Sequence, residues 1–200
     1  MPTAYVTGLQ ALRRARVSGG SKTLVIGASG GCGLAGVQIA KALGASEIVG
    51  VCSGKNERAV LDAGGTSVID YKKTNISEAC EAGHFDQVYD CATGSGKNEN
   101  YFDEADALIK KGGLLVTLNG GAGTWLRYFT GWEKNRRKLI LTNMNTSDLN
   151  EIASLFASGK VRPLIAHNFG ELSQASVDDA FERQKSRRTV GKLVFTISSS

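Results

Sequence analysis

Three small residues in the stretch TLVIGASGGCGLAGV have the spacing of a phosphate-binding loop: Ala28, Gly30 and Gly33. They follow a short apolar run and open a stretch with helical periodicity, a context that raises the A-x-G-x-x-G pattern well above chance. Glycine at the second position lets the backbone approach a pyrophosphate, and glycine at the third lets the helix pack closely on the strand. The helix N-terminus would offer N–H groups and partial positive charge. We therefore predict a dinucleotide-binding loop, the alternative being a tight turn without a ligand; its residues are Ala28, Ser29, Gly30, Gly31, Cys32 and Gly33.

The end of the next apolar run, about 20 residues further on, distinguishes the two nicotinamide dinucleotides, because an Asp or Glu there would bind the ribose 2′-hydroxyl of NAD. This chain has Cys52, Ser53, Gly54 and Lys55 instead, and Glu57 falls within the next predicted helix. A hydroxyl and an ammonium group suit a 2′-phosphate. The sequence therefore favours NADPH, and Ser53 could also serve as a helix cap.

A parallel sheet flanked by helices would position these loops, and apolar runs alternate with helical stretches in the way such a sheet requires. We predict an α/β fold, a Rossmann-type doubly wound parallel sheet of about six strands. The strands are predicted at residues 23–26, 47–52, 66–69, 87–91, 113–118 and 138–142, and helices at 32–43, 56–63 and near 99–110.

Glycines and periodicity predict the rest of the chain. Gly112 and Gly113 should end a helix, and residues 120–123 should open a flexible loop at the carboxyl edge of the sheet, where such sheets bind ligands. Helical spacing begins at Thr146, an extended piece is expected at 163–166 and a last strand at 193–197. We predict a Rossmann domain over residues 1–145 and a C-terminal segment over 146–200 that completes it.

Composition limits the class of protein. Two hundred residues with 42% hydrophobic content suit one core. No apolar stretch could span a membrane and no secretory signal is evident, so we expect a cytoplasmic protein; the basic opening segment leaves a mitochondrial presequence as the alternative. The net charge of +5 permits an anionic partner, but the basic clusters at 134–138 and 183–188 are typical of solvated faces, which makes nucleic acid an unfavoured partner.

The four cysteines show no C-x-x-C pair and no regular spacing, which argues against a disulfide framework or a zinc site. Cys80 and His84 have i, i+4 spacing and could share a helical face, but a tetrahedral metal needs more ligands. We expect no metal, and we interpret Cys32 as a small apolar filler rather than a redox residue.

The motifs together resemble the cofactor-binding half of the medium-chain dehydrogenase/reductase superfamily, in particular its quinone oxidoreductase (zeta-crystallin-like) and zinc-binding dehydrogenase members. The segments that carry the resemblance are the opening Thr3-Ala4-Tyr5, then GASGGCG, AKALGA, VCSGKN, GGTSVIDY, FDQVYDCATG, LIKKGGLLVTLNG and the closing GKLVFTI. The resemblance implies a six-stranded Rossmann sheet, NADPH as cofactor, hydride transfer to quinones or α,β-unsaturated carbonyls, and a homodimer, which we place at the strand running from Lys138 to Thr142.

The resemblance also implies roles for individual residues. It assigns Ser53, Lys55 and Tyr71 to the 2′-phosphate and Thr3 to the neighbourhood of the carboxamide. Two segments complete the implied site: the adenine ribose lies beside Cys91, Ala92, Thr93 and Gly94, and the nicotinamide ribose beside Leu118, Asn119 and Gly120.

Family members carry a GroES-like substrate domain before the Thr-Ala-Tyr motif, whereas this chain begins at that motif. We therefore expect the chain to represent the cofactor half, with its C-terminal segment resembling the boundary of that domain, and to be inactive by itself. A short-chain dehydrogenase is excluded because none of the five tyrosines is followed four positions later by lysine. A non-catalytic NADPH-binding or nucleic-acid-binding protein remains the alternative.

Overall fold

The central feature of the computed structural model, which describes residues 2–94, 99–131 and 136–197, is a six-stranded parallel sheet. Its strand order, β3-β2-β1-β4-β5-β6, is that of a doubly wound Rossmann fold, and the predicted fold class is confirmed. The strands are β1 (Lys22–Ile26), β2 (Glu47–Cys52), β3 (Ser67–Asp70), β4 (Phe85–Asp90), β5 (Ile109–Thr117) and β6 (Arg137–Leu139).

Helices cover both faces of the sheet, and a separate two-stranded parallel sheet lies in the C-terminal part of the chain. Its strands are β7 (Ile165–Asn168) and β8 (Lys192–Val194). The helices are α1 (Pro2–Arg14), α2 (Gly31–Ala42), α3 (Glu57–Asp62), α4 (Ile76–Ala79), α5 (Phe102–Leu108), α6 (Ala122–Phe129), α7 (Thr146–Ala157) and α8 (Gln174–Lys185). Among the described residues, no helix combines the length and apolar character that a membrane span requires.

The opening helix α1, which the sequence analysis did not predict, is part of the core. Val6, Leu9 and Leu12 are fully buried because their spacing puts them on one helical face. Gly8 lies where α1 crosses α2, since a Cβ built on it would contact the Gly36 backbone at 3.5 Å. The basic opening segment is thus a packed element of the fold.

The pair Gly112-Gly113 does not end a helix, contrary to the prediction. Helix α5 already ends at Leu108, and β5 runs through both glycines. A Cβ on Gly113 would lie 2.5 Å from the Asp86 carbonyl oxygen, and the pairing of β4 with β5 shifts register next to this point. The glycines therefore accommodate a strand irregularity.

The predicted flexible loop at 120–123 is also wrong in part, because Gly121 caps helix α6 and the helix begins at Ala122. Other elements are shifted or shortened rather than misplaced. Strand β6 ends at Leu139 instead of Thr142, although the Ile140 N–H still donates to the Thr117 carbonyl at 3.0 Å. The bounds of several other elements differ from the predicted ones by one to four residues, among them those of strands β3, β4, β5, β7 and β8 and helix α5.

The buried side chain of Gln38 attaches the C-terminal part of the chain to helix α2. The Gln38 amide on α2 donates to the Arg162 carbonyl at 2.9 Å and accepts from the Arg162 N–H at 2.6 Å. The Tyr5 hydroxyl donates to the same amide oxygen at 3.4 Å. A single glutamine thus joins α1, α2 and the chain that follows α7.

Candidate functional site

The glycine loop between β1 and α2 has the geometry that the motif predicts. Gly30 is the N-cap of α2 in an extended conformation, and the Leu34 N–H donates to its carbonyl. A Cβ on Gly33 would lie 2.2 Å from the Gly27 carbonyl oxygen and 2.7 Å from the Ala28 Cα. No side chain fits there, so the helix begins directly against the loop and its first N–H groups point outward from the end of the sheet.

A cleft of about 340 Å³ opens beside this loop at the carboxyl ends of β1, β2 and β4. It collects seven of the predicted site residues: Ser29, Gly30, Ser53, Lys55, Tyr71, Cys91 and Ala92. The cleft therefore lies where open parallel sheets bind their ligands.

The tip of β2 supplies one wall of the cleft. Ser53 is buried and makes no capping hydrogen bond with the short helical turn that it precedes, so the capping alternative is wrong. Asn56, which the sequence analysis missed, donates to the Ser29 hydroxyl at 3.1 Å and joins this wall to the glycine loop. Tyr71 is 48% exposed at the tip of β3.

The opposite wall comes from the C-terminal part of the chain and was not predicted. Arg187, Arg188 and Thr189 line the cleft, although the basic cluster at 183–188 was interpreted as a solvated face. Arg187 follows the end of α8 with a φ of 55°, a left-handed conformation that non-glycine residues rarely adopt. Periodicity cannot reveal this wall because the residues reach the cleft through tertiary folding.

A further cation, Lys192, lies over the glycine loop. A Cβ built on Gly31 would be 2.8 Å from the Lys192 Nζ, which places the ammonium group of β8 at the N-terminus of α2. The closing segment GKLVFTI contributes to the family resemblance, but its sequence gives no sign that Lys192 faces the loop.

The loop after β4 is held by a buried carboxylate. Asp90 Oδ1 accepts hydrogen bonds from the Ala92 and Thr93 N–H groups, both at 2.9 Å. Burial raises the pKa of Asp90, and the hydrogen bonds with Thr93 and Ala92 oppose that effect. The network fixes the loop beside the cleft, with Thr93 itself buried beneath it.

The segment after β5 is joined to this loop but lies outside the cleft. The Asn119 amide donates to the Gly94 carbonyl at 3.0 Å, and the Trp125 indole donates to the Asn119 oxygen at 3.3 Å. Leu118 and Gly120 flank that amide in the chain. The predicted nicotinamide segment is thus next to the predicted ribose loop without lining the same cavity.

The remaining predicted residues lie around or beneath the cleft. Ala28 is buried under the loop, and Gly31, Cys32 and Gly33 form the first turn of α2. Thr3 is exposed on α1 and does not line the cleft.

Cys80 and His84 do not share a helix, because α4 ends at Ala79. His84 instead lies 2.9 Å from a Glu47 carboxylate oxygen, and Lys22 pairs with the same carboxylate. Burial would raise the pKa of Glu47, but hydrogen bonds to His84 and Lys22 outweigh it and lower the pKa. Over residues 2–94, 99–131 and 136–197, no three His, Cys, Asp or Glu side chains gather as a metal site would require, so these residues do not fit zinc.

Comparison with known proteins places this architecture in a family. The family model described as "Zinc-binding dehydrogenase" matches residues 63–195. A 2-methylene-furan-3-one reductase of Solanum lycopersicum is 31% identical over 97% of this chain and 45% of its own length. A mitochondrial NAD(P)H oxidoreductase of Homo sapiens is 27% identical over 89% of this chain and 48% of its own length.

The solved structure of a quinone oxidoreductase from Coxiella burnetii superimposes with a TM-score of 0.83 and 26% identity, covering 99% of this chain and 59% of that one. The chain spans about half the length of the curated relatives it matches. With the Rossmann sheet, the glycine loop and a family match over two thirds of the sequence, the chain belongs to the zinc-binding dehydrogenase family, among the medium-chain reductases and quinone oxidoreductases.

Proposed function

We propose that this chain is the NADPH-binding part of an oxidoreductase that transfers a hydride to quinones or α,β-unsaturated carbonyls. The observation that carries the proposal is the cleft itself, in which a glycine loop at a helix N-terminus faces a hydroxyl and several cations. The substrate class rests on the names of relatives, a furanone reductase and a quinone oxidoreductase.

The pyrophosphate would lie on the glycine loop. The N–H groups at the start of α2 donate to its oxygens, and the absence of a Cβ at Gly30 allows close approach. Lys192 supplies a positive charge at the same point, since its Nζ already lies over Gly31. These contacts are shared by NADPH and NADH.

The 2′-phosphate would lie at the β2 tip. The Ser53 hydroxyl, the Lys55 ammonium group and the Tyr71 hydroxyl come from one side and the guanidinium groups of Arg187 and Arg188 from the other. Charged hydrogen bonds of this kind contribute about 1.5 to 3 kcal/mol each. The strained φ of Arg187 favours a role for its side chain, because glycine would relieve that strain.

When bound, the nicotinamide cofactor supplies the hydride. The chain's own residues bind and orient it: the loop from Cys91 to Gly94 would contact the adenine ribose, and Leu118 to Gly120 the nicotinamide ribose. Thr3 would lie toward the carboxamide. The Asn119–Gly94 hydrogen bond holds these two segments next to each other.

Fluorescence titration with NADPH and NADH tests the cofactor assignment. Lys55→Ala should weaken NADPH by at least about tenfold and leave NADH nearly unchanged. Lys111→Ala, at the other end of the sheet, is the matched control and should change neither. Equal losses for both cofactors in Lys55→Ala would contradict the 2′-phosphate assignment, and salt-resistant binding of single-stranded RNA without NADPH binding would favour the alternative function.

A turnover assay tests the activity of the 200-residue chain itself. Hydride transfer gains rate from holding the acceptor close in a site without water, and the relatives carry about as much additional chain as they share with this one. We expect the chain alone to bind NADPH but not to oxidise it with a small quinone. Turnover on the order of 10 per second would show that these residues suffice.

We also propose a homodimer through the edge strand β6 and the residues up to Thr142. Strand β6 is the edge of the sheet, and Leu141 and Met144 beyond it are each nearly half exposed. An apolar edge favours pairing with a second strand. Sedimentation should give a dimer that Leu141→Glu weakens and Leu172→Glu, a distant exposed leucine, does not; a monomer at high concentration would contradict this.

The cytoplasm is the compartment we propose. Residues 2–14 pack into the core as α1, which argues against a removable presequence in that segment. Imaging of the tagged protein in its own cells, with a mitochondrial marker as the comparison, tests this assignment.

A further inference from the structure

Two cysteines lie beside the cleft, Cys32 in the first turn of α2 and Cys91 directly after β4. Their positions follow from one tight contact: a Cβ built on Gly36 of α2 would lie 2.5 Å from a ring carbon of Tyr89 on β4. The helix packs with its axis roughly antiparallel to the strand, as in every right-handed β–α–β crossover.

The register of this contact brings the thiols together. Cys32 is four residues before Gly36 and therefore one turn, about 6 Å, nearer the carboxyl edge of the sheet on the same helical face. Cys91 is two residues after Tyr89, about 6.6 Å toward the same edge and on the same face of the strand. The Cys91 N–H donates to the Ile26 carbonyl at 3.0 Å, so the ladder continues to this residue.

The electrostatic environment agrees with this placement. Burial raises the pKa of the Cys91 thiol, and the neighbouring Cys32 thiol raises it further. Burial raises the pKa of Tyr89 well above its ordinary value, and the Cys91 and Cys32 thiols raise it further. Both cysteines pack against the same hydrophobic cluster as Tyr89 and both are free thiols.

We propose that Cys32 and Cys91 are a peroxide-sensitive thiol pair that forms a disulfide beneath the phosphate loop. This pairing changes the interpretation of Cys32 as a filler, because the sequence separates the two residues by 59 positions and gives no sign that they meet. A disulfide requires Cα atoms within about 7 Å. Gly27 lies between the two cysteine segments: a Cβ built on it would be 3.5 Å from the Cys91 carbonyl carbon, and a Cβ on Gly33, the neighbour of Cys32, would be 2.2 Å from the Gly27 carbonyl oxygen.

Cys32 is the thiol that reacts first. Both cysteines are partly exposed, but Cys32 lies in the first turn of α2, whereas burial raises the pKa of the Cys91 thiol well above its ordinary value. Burial also raises the pKa of Cys32, and the positive charge of Lys192 opposes that effect. The Cys32 thiolate attacks hydrogen peroxide, breaking the O–O bond and giving a sulfenic acid and water. The Cys91 thiol then attacks that sulfur and expels a second water, so two thiols and one peroxide give one disulfide and two waters.

The disulfide would interfere with the cofactor site, and this consequence rests on the proposed function. Cys32 belongs to the phosphate loop and Cys91 to the ribose loop, so a covalent bond between them fixes both loops in one arrangement. We expect the oxidised protein to bind NADPH at least about tenfold more weakly than the reduced protein, and bound NADPH to slow the oxidation by covering the cleft that Cys91 lines.

Mass spectrometry of the peroxide-treated chain tests the pair without reference to NADPH. Digestion with trypsin and Glu-C separates Cys80 from Cys91, because Glu81 lies between them. The expected result is one linked pair, Cys32 with Cys91, formed faster at pH 9 than at pH 7 and reversed by dithiothreitol. Two of the four thiols should disappear in a denaturing thiol assay.

Matched variants separate the pair from general oxidation. Cys32→Ser and Cys91→Ser should each abolish the linked peptide and leave each variant's own NADPH affinity unchanged by peroxide, with Cys91→Ala available if a buried serine destabilises the fold. Cys80→Ser should behave as the parent protein. Linkage of Cys32 to Cys52, a link between two chains, or oxidation of Cys32 to sulfinic acid with Cys91 still free would each overturn the proposal. A linked pair without NADPH binding by the reduced chain would contradict the proposed function instead.

Discussion

The two walls of the cleft come from regions of very different construction. Dividing the chain after α7, rather than at the predicted boundary after residue 145, gives a core segment of residues 2–157 and a C-terminal segment of residues 158–197. The core segment supplies one hydrophobic cluster entirely and every buried member of the other except Val161, which is the one buried residue of the C-terminal segment. Yet the C-terminal segment supplies Arg187 and Arg188 to the cleft and places Lys192 over the glycine loop.

This difference indicates that stability and ligand charge are encoded in separate parts of the chain. Apolar burial contributes about 25 cal/mol per Å², so most of the folding free energy must come from the core segment. The C-terminal segment can contribute binding contacts while contributing little to stability. Substitutions should therefore affect the two properties independently, and the following predictions test that separation in order of effect.

Gly33→Val should have the largest effect, because it acts on the core segment. Its Cβ would lie 2.2 Å from the Gly27 carbonyl oxygen, a backbone atom that cannot move aside. We expect a loss of at least about 3 kcal/mol in the free energy of unfolding, measured with urea, and a loss of NADPH binding. Gly30→Ala is the control, since its Cβ would meet the Gly27 carbonyl oxygen at 3.4 Å, an ordinary contact; it should fold normally and weaken only NADPH binding. Equal stability of the two variants would refute the geometry.

Gln38→Ala tests the connection between the regions. It leaves the Arg162 N–H and carbonyl without their amide partner, at a cost of about 1 to 3 kcal/mol. Because this pairing attaches the start of the C-terminal segment, hydrogen exchange should rise in β7 and β8 more than in β1 or β4. Gln174→Ala, an exposed glutamine on α8, should change neither. Uniform destabilisation of both regions would mean that they unfold as one unit.

Lys192→Met tests the C-terminal wall alone. The unbranched methionine side chain is nearly as long as that of lysine and preserves packing on β8, but it removes the charge over Gly31. NADPH and NADH should weaken by the same factor, about tenfold, since the pyrophosphate is common to both. The free energy of unfolding should change by less than about 0.5 kcal/mol. A selective loss of NADPH would place this lysine at the 2′-phosphate instead.

The same division explains how much the sequence could predict. Strands β1, β2 and β4 and the glycine loop follow from local patterns, namely apolar runs and A-x-G-x-x-G. Helix α8 has no buried side chain. Its apolar residues at helical spacing, Val177, Ala180 and Phe181, form too short a stripe to predict the element. Helix α6 was not predicted because it follows two glycines, which are typical of a loop, although one of them is its N-cap.

Long-range placement accounts for the missed site residues. Lys192 reaches the glycine loop only because β8 pairs with β7, and Gln38 attaches the chain preceding β7 to α2. Helix α1 was missed for a related reason. Its Thr, Tyr, Val and Gly residues have low helix propensity, and packing against α2 and α7 stabilises it instead. Local patterns therefore gave the sheet and the loop, whereas tertiary contacts determined the second wall.

Asp148→Asn should have the smallest effect and a defined pH dependence. Asp148 connects helix α7 to helix α1. Its carboxylate accepts hydrogen bonds from the Gln10 amide at 2.6 Å and the Asn145 amide at 2.7 Å, and it forms an ion pair with Arg13 at 3.2 Å. Hydrogen bonds from Gln10 and then Asn145 lower the pKa of Asp148, with Arg13 adding to them against a smaller opposing effect of burial.

Because the pKa is lower in the folded than in the unfolded protein, the stabilisation is fully present above the unfolded value of about 4 and is lost as the pH falls through the folded value. We expect Asp148→Asn to cost about 1 kcal/mol at pH 7 and the difference from the parent to shrink as urea unfolding is repeated toward pH 3. Asp178→Asn, on the exposed face of α8 beside Gln174, is the matched control and should cost little at either pH. A difference that stayed constant with pH would show that Asp148 stabilises the helix junction through the shape of its hydrogen bonds and not through its charge.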